Sequence, residues 1–242
     1  RMQFKLIQSK FNDKNLWFNN LNAQLESFDE KQYDRLAPII LEKDIPSIQK
    51  EIIVGNLTYE ELVKFYLYRI KKIEFNSNTY LNSIISINPK IIDEAIEKDK
   101  SKPNSIYSMH GIPILLKDNI NFEGIPTTAG AVVLKNNYTI NSYVSNKLEE
   151  NGALILGKTN LSEWAYYFCS GCPLGYSAIG GQTLNPYGRK IFESGGSSSG
   201  SGAAITANLS TVSLGSETSG SILSPSSLNS IVGLKPTIGL VS

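Results

Sequence analysis

The chain has 242 residues, 41% hydrophobic and 19% charged, which is enough apolar material to bury a real core. Its net charge of +1 and pI near 7.8 leave no basic field to hold nucleic acid or an anionic membrane. No run of about 18 apolar residues occurs, so no segment reads as a helix spanning a bilayer.

Residues 1–57 are rich in Asn, Lys and Gln, carry scattered aromatics and no chemical motif, and read as a helical extension. The chain opens at Arg1 on a polar, mixed segment, not on a charged stub followed by an apolar stretch. Such a start suggests a processed or trimmed chain. It leaves the compartment open: cytoplasmic, or periplasmic or secreted if a signal peptide has been removed.

A second region, 58–242, begins at Thr58-Tyr59-Glu60-Glu61, a capping box with Thr58 as N-cap and Glu61 reaching back. Leu62, Phe65, Tyr66, Ile70 and Ile73 then recur at helical spacing and predict one amphipathic helix to about Glu74. Residues 81–87 read as a strand and 91–98 as a helix. The apolar run 112–117 fits a buried strand. Residues 140–151 read as a helix stopped by Gly152, and 153–156 as another buried strand. This alternation predicts an α/β domain with a mostly covered sheet.

Gly152-Ala153-Leu154-Ile155-Leu156-Gly157-Lys158-Thr159 matches the phosphate-loop pattern letter for letter. That mechanism needs small or polar residues wrapping phosphates between a strand and a helix. Here the inner residues are Ala-Leu-Ile-Leu, which favour a strand, and a helix precedes them. The match is discounted, with Gly157 expected to start the turn after a core strand.

Cys169 and Cys172 form a C-x-x-C. Zinc needs about four ligands, and His110 with scattered carboxylates is a poor remaining pool. Ordinary thiols or an incidental disulfide fit better than a redox or metal site.

The strongest chemical signal is Gly195-Gly196-Ser197-Ser198-Ser199-Gly200-Ser201-Gly202, followed by Glu217-Thr218-Ser219-Gly220-Ser221. A Ser/Gly run is often a flexible linker, yet this one leads into Ala203-Ala204-Ile205-Thr206-Ala207, a small-residue helix. A glycine-rich helix entry aims backbone N–H groups at an anion or developing oxyanion. Val212-Ser213-Leu214-Gly215 then reads as a strand ending in a sharp bend at 218–221 with a hydroxyl at its tip. Lys117, at the end of the apolar run, supplies a base. With one histidine in the chain, a serine enzyme confined to these residues must work without histidine.

In order along the chain, these residues closely resemble the amidase signature family. The matches include His110-Gly111-Ile112-Pro113, Leu116-Lys117-Asp118-Asn119, Thr127-Thr128-Ala129-Gly130 and Gly157-Lys158-Thr159-Asn160-Leu161-Ser162-Glu163-Trp164. Gly180-Gly181-Gln182-Thr183-Leu184-Asn185-Pro186-Tyr187, the two serine segments and Gly233-Leu234-Lys235-Pro236-Thr237-Ile238-Gly239 complete the set. The resemblance implies the amidase signature fold, an α/β fold with a mixed, largely covered central sheet and surrounding helices. This chain looks like its N-terminal half, with the C-terminal half of the same domain as its expected partner.

The resemblance also places a Ser–cis-Ser–Lys triad on Lys117, Ser197 and Ser221, with the serines 24 positions apart (221 − 197 = 24). It implies a cis peptide between Gly196 and Ser197 that aims the Ser197 hydroxyl between Lys117 and Ser221. Neutral Lys117 takes a proton through Ser197 from Ser221, which attacks an amide carbonyl. The oxyanion sits against the N–H groups of Thr218, Ser219, Gly220 and Ser221, and no metal or organic cofactor is required.

The turn departs from the family's usual Asp-Thr-Gly-Gly-Ser-Ile-Arg, with Glu217, Ser219 and Leu223 at the changed positions. Ser219 is tolerable provided its φ suits a non-glycine residue. The variant looks most like the peptide-amidase branch, with a small amide or amidated peptide as substrate. It looks less like the amidotransferase component that feeds ammonia to misacylated tRNA. A non-catalytic amidase-like fragment is the remaining reading.

Around the site, Lys158 and Lys235 read as structural or surface cations and His110 as a hydrogen-bonded turn residue. Ser198 and Ser199 read as loop supports. Trp164, Tyr166, Tyr167 and Phe168 could line a pocket but read more readily as core.

Overall fold

Local rules start and stop the helices. The computed structural model describes residues 5–168 and 171–241. Helices α1 (Asn22–Leu25), α2 (Glu30–Ile40) and α3 (Ile45–Val54) all lie within the first 57 residues. Asp29 and Asp44 accept the N3 amides of α2 and α3, and Gly55, at φ +84°, ends α3 in the left-handed region. Helix α4 (Tyr59–Glu74) opens on the reciprocal Thr58–Glu61 capping box expected from the sequence. Its buried residues Leu62, Phe65, Tyr66 and Ile70 form one stripe.

Strand β1 (Ile84–Ile87) is shorter than the expected 81–87. The buried Glu74 carboxylate accepts the amides of Leu81, Asn82 and Ser83, so these N–H groups bond a side chain instead of a neighbouring strand. Helix α5 (Ile91–Lys98) and the wholly buried strand β2 (Pro113–Lys117) lie where periodicity and apolarity put them. Helix α6 (Tyr143–Glu150) starts later than expected because Ser142 caps it by accepting the Ser145 amide.

Strand β3 (Leu154–Thr159) runs through Gly157 and Lys158, correcting the expected turn at Gly157. Gly157 is placed by close approach: a Cβ there would lie 2.3 Å from the Ser86 carbonyl oxygen of β1. Two short strands, β4 (Tyr176–Ser177) and β5 (Gly181–Gln182), form a separate antiparallel pair. Helix α7 (Ser199–Thr206), strand β6 (Val212–Leu214) and helix α8 (Leu223–Leu228) follow.

The main sheet has the order β1-β3-β2-β6. β1 is antiparallel to β3, while β2 is parallel to both β3 and β6, so the sheet is mixed. One continuous apolar core joins Leu21, Leu36 and Ile48 of the first 57 residues to Leu62 and Phe65 of α4, and to Ile114 and Leu156 of the sheet. The carboxyl ends of the three parallel strands come together at Lys117, Thr159 and Leu214. Ligand sites of open α/β sheets form outside such ends. Among the described residues, no helix is long and apolar enough to cross a membrane.

Candidate active site

Lys117 is the last residue of β2, and packing on all sides leaves it fully buried. Its Nζ donates to Ser197 Oγ over 2.7 Å and to the Ser216 carbonyl over 3.1 Å. Both acceptors are neutral, so burial dominates and pushes the lysine down to about 7, opposed by the nearby Glu217 charge.

Ser197 follows a cis peptide bond with Gly196 and is itself buried. Its carbonyl accepts the Ser162 amide at 3.0 Å, and a Cβ on Gly196 would meet Ser162 Oγ at 2.6 Å. The next two serines support backbone: Ser198 Oγ donates to the Ser216 carbonyl and Ser199 Oγ to the Gly195 carbonyl. Helix α7 lies close to the strand ends because Gly200 permits it, a Cβ there meeting the Ser83 oxygen at 2.4 Å.

Ser221 is reached through the backbone. Its carbonyl accepts the Ser198 amide at 3.1 Å, which ties the turn to the residue after Ser197. Among the described residues the Ser221 hydroxyl makes no hydrogen bond, so Lys117 and Ser197 touch while Ser221 Oγ is joined to neither. The turn is held by Glu217, whose Oε2 accepts the amides of Ile222 at 2.7 Å and Leu223 at 2.9 Å. Partial burial pushes that carboxyl up, but these amides outweigh it and hold the group below its usual range. The amides of Thr218, Ser219 and Ser221 have no acceptor among the described residues, and the Gly220 amide faces Glu217. Gly220 takes φ +76°, whereas Ser219 stays outside the left-handed region. An open groove of about 950 Å³ runs alongside, lined by Ser198, Ser216, Glu217, Ile222 and Lys235 among others.

Behind the site, Lys158 Nζ lies 3.1 Å from Asp118 Oδ1 and 2.9 Å from Thr127 Oγ1, both charges fully buried. Burial pushes Asp118 up and Lys158 down, while the pairing opposes both shifts. The lysine of the phosphate-loop match is thus a strand residue held by a carboxylate. Lys235 is an exposed cation. The His110 Nε2 lies 3.2 Å from both Ser101 Oγ and the Lys98 carbonyl, with its ring edge-on to Tyr59.

The aromatic run corrects the expectation of core. Tyr167 and Phe168 are 83% and 72% exposed, and Trp164 is half-buried. Residues 164, 165 and 166 have φ of 54°, 53° and 72°, a local path that carries the rings outward to pack on one another. Cys172 is disulfide-bonded, and Cys169 lies outside the described residues. Among the described residues no group of three His, Cys, Asp or Glu side chains could hold a metal ion.

What the motifs left unread was the work of Glu217, the Ser216 carbonyl and the Asp118–Lys158 pair. Glu217 stood out as a departure from the family turn, but nothing in its spacing announces that its carboxylate reaches forward to residues 222 and 223.

Residues 61–242 match the family model described as Amidase. The chain belongs to the amidase family. It is 43% identical over 209 residues to a "Probable amidase" of Arabidopsis thaliana, covering 84% of this chain and 40% of that protein. It is 42% identical over 183 residues to a glutamyl-tRNA(Gln) amidotransferase subunit of Thermoanaerobacter pseudethanolicus, covering 75% and 36%. Among solved structures, an amidase family protein from Bacillus anthracis superposes with a TM-score of 0.84 at 36% identity, covering 90% of this chain and 43% of that one. Native peptide amidase from Stenotrophomonas maltophilia gives 0.79 at 42% identity, covering 84% and 42%. These amidase-family neighbours share the mixed α/β architecture. The chain spans about two fifths of the length of these relatives.

Proposed function

We propose that this chain carries the catalytic groups of an amidase that cleaves a carboxamide C–N bond through an acyl-enzyme on Ser221. The observation that carries the reading is the buried contact of Lys117 Nζ with Ser197 Oγ at 2.7 Å, with the lysine pushed down to about 7. A buried lysine near neutrality is half unprotonated at physiological pH and can accept a proton.

In this mechanism Ser221 Oγ forms a bond to the carbonyl carbon as its proton passes through the Ser197 hydroxyl to Lys117. The tetrahedral oxyanion lies against free amides of the turn at 218–221, where one lost donor costs about 3 kcal/mol of barrier. Collapse breaks the C–N bond, and the proton returns through Ser197 to the departing nitrogen, releasing ammonia or an amine. Water then repeats the sequence and frees the acid. The chemistry draws only on side chains and amides of this chain. Similarity to a peptide amidase favours a small amide or amidated peptide as substrate.

The partner in this reading is the C-terminal half of the same family domain, since the relatives are more than twice as long. A second reading, an amidotransferase component generating ammonia, is supported by the 42% identity to the Thermoanaerobacter protein and opposed by the Glu217–Ser219–Leu223 turn.

The test is labelling with a serine-reactive fluorophosphonate, followed by intact mass and peptide mapping, with Ser221→Ala as control. One adduct on Ser221, lost in the control, is the expected result. No adduct on folded protein supplied with the rest of the family domain would overturn the proposal.

A further inference from the structure

We infer that Glu217 is a positioning residue with two separable effects on the proposed reaction, one exerted through its reach and one through its charge. The inference rests on the reading of Lys117 as the base and Ser221 as the nucleophile.

The reach is geometric. Glu217 precedes the turn, yet its carboxylate closes on the amides of Ile222 and Leu223, just beyond Ser221. Residues 217–223 therefore form a ring closed by a side chain. Ser224 donates to the Gly220 carbonyl at 2.8 Å, and the Ser221 carbonyl accepts the Ser198 amide. With the amides after Ser221 engaged, those of Thr218, Ser219 and Ser221 remain open for an acyl oxygen. A shorter carboxylate at 217 has one methylene less with which to close the same ring.

The charge acts on Lys117. The Ser216 carbonyl accepts from Lys117 Nζ, so the carboxylate belongs to the residue next to a contact of the base. Glu217 is the charged group that acts on Lys117. Asp118, just after β2, and Lys158 of β3 pair with each other, and α7 and α8 carry no titratable residue. Lys235, across the groove, acts on Glu217. The carboxylate thus partly offsets the drive of burial to strip the proton from Lys117 and holds the base closer to neutrality. A base of lower proton affinity accepts the serine proton less readily.

Two conservative variants of the full chain separate the effects. Glu217→Gln keeps the reach and one acceptor oxygen but removes the charge. The Lys117 Nζ titration, followed by NMR, is expected to move to lower pH by about half a unit to one unit. The acidic limb of fluorophosphonate labelling at Ser221 should follow it. Glu217→Asp keeps the charge and loses reach: the titration midpoint should stay, while the plateau labelling rate falls at least tenfold. Exchange of the Ile222 and Leu223 amides should speed up in the aspartate variant alone. An Nζ midpoint unmoved in Glu217→Gln overturns the electrostatic effect, and an unchanged plateau rate in Glu217→Asp overturns the positioning effect. Wild-type protein that titrates as expected but never labels at Ser221 would refute the proposed function instead, leaving the effect of Glu217 on Lys117 standing.

Discussion

Lys117 and Ser197 lie 80 residues apart in sequence and 2.7 Å apart in space, both buried, with the lysine nitrogen donating to the hydroxyl. The hydroxyl can accept from the lysine and donate onward, which is what a proton relay requires. Ser197→Ala leaves Lys117 with the Ser216 carbonyl alone. We expect Ser221 labelling to slow by about 10²–10⁴ in that variant, in the range of lost general acid–base assistance, with folding cooperativity retained. Stopped-time labelling followed by mass spectrometry checks it.

In the proposed mechanism the depressed lysine sets the pH dependence of labelling. A base at about 7 is neutral above that value and protonated below it, so labelling should rise with pH through about 7 and level off above 8. Below 6 the rate should drop about tenfold per unit. A flat profile between pH 5.5 and 8.5 would contradict the assignment of Lys117 as base.

The same shift is a stability statement. Lys117 has a folded value near 7 against an ordinary 10.5, so between those values the unfolded chain binds more protons than the folded one. Stability therefore rises with pH across that window, and at pH 7 the buried lysine is a liability. Lys117→Met should abolish labelling yet stabilise the fold on the order of 1–3 kcal/mol at pH 7, after lost hydrogen bonds are deducted. The gain should shrink as the pH approaches 10.5. Denaturant midpoints at pH 7 and 10 measure both parts.

Neighbouring positions in the turn should respond in opposite ways. Gly220 has φ +76° with nothing within 4 Å of a Cβ, so Gly220→Ala meets only the backbone cost of about 1–2 kcal/mol. That cost falls on the segment carrying Ser221, and labelling should slow. Ser219 is outside the left-handed region, so Ser219→Gly relieves nothing and should alter labelling by less than about threefold. Parallel rates for the two variants decide it.

Removing one member of the buried pair behind the site leaves the other charge uncompensated. Lys158→Met should cost about 3–5 kcal/mol, most of it recovered in the Lys158→Met/Asp118→Leu double variant. Thermal melts of the two variants provide the comparison.

Much of this molecule was determined locally and could be read residue by residue. The Thr58–Glu61 box starts α4 because both groups lie within one turn, and β2 is buried because Ile112 to Leu116 offer only apolar side chains. The resemblance singled out Lys117, Ser197 and Ser221 from short motifs, and the fold brings Lys117 to Ser197. Contacts between distant segments were not. β3 continues through Gly157 to Thr159 only because β1 and β2 flank it and supply ladder partners, which a sequence window cannot contain. Lys158 became a buried ion pair because the fold brought Asp118 to it. The aromatic run from Trp164 emerged exposed because three left-handed residues override its apolar character. Local propensity chose most of the elements; tertiary packing decided which charges lost their water, and with it the proton affinity of Lys117.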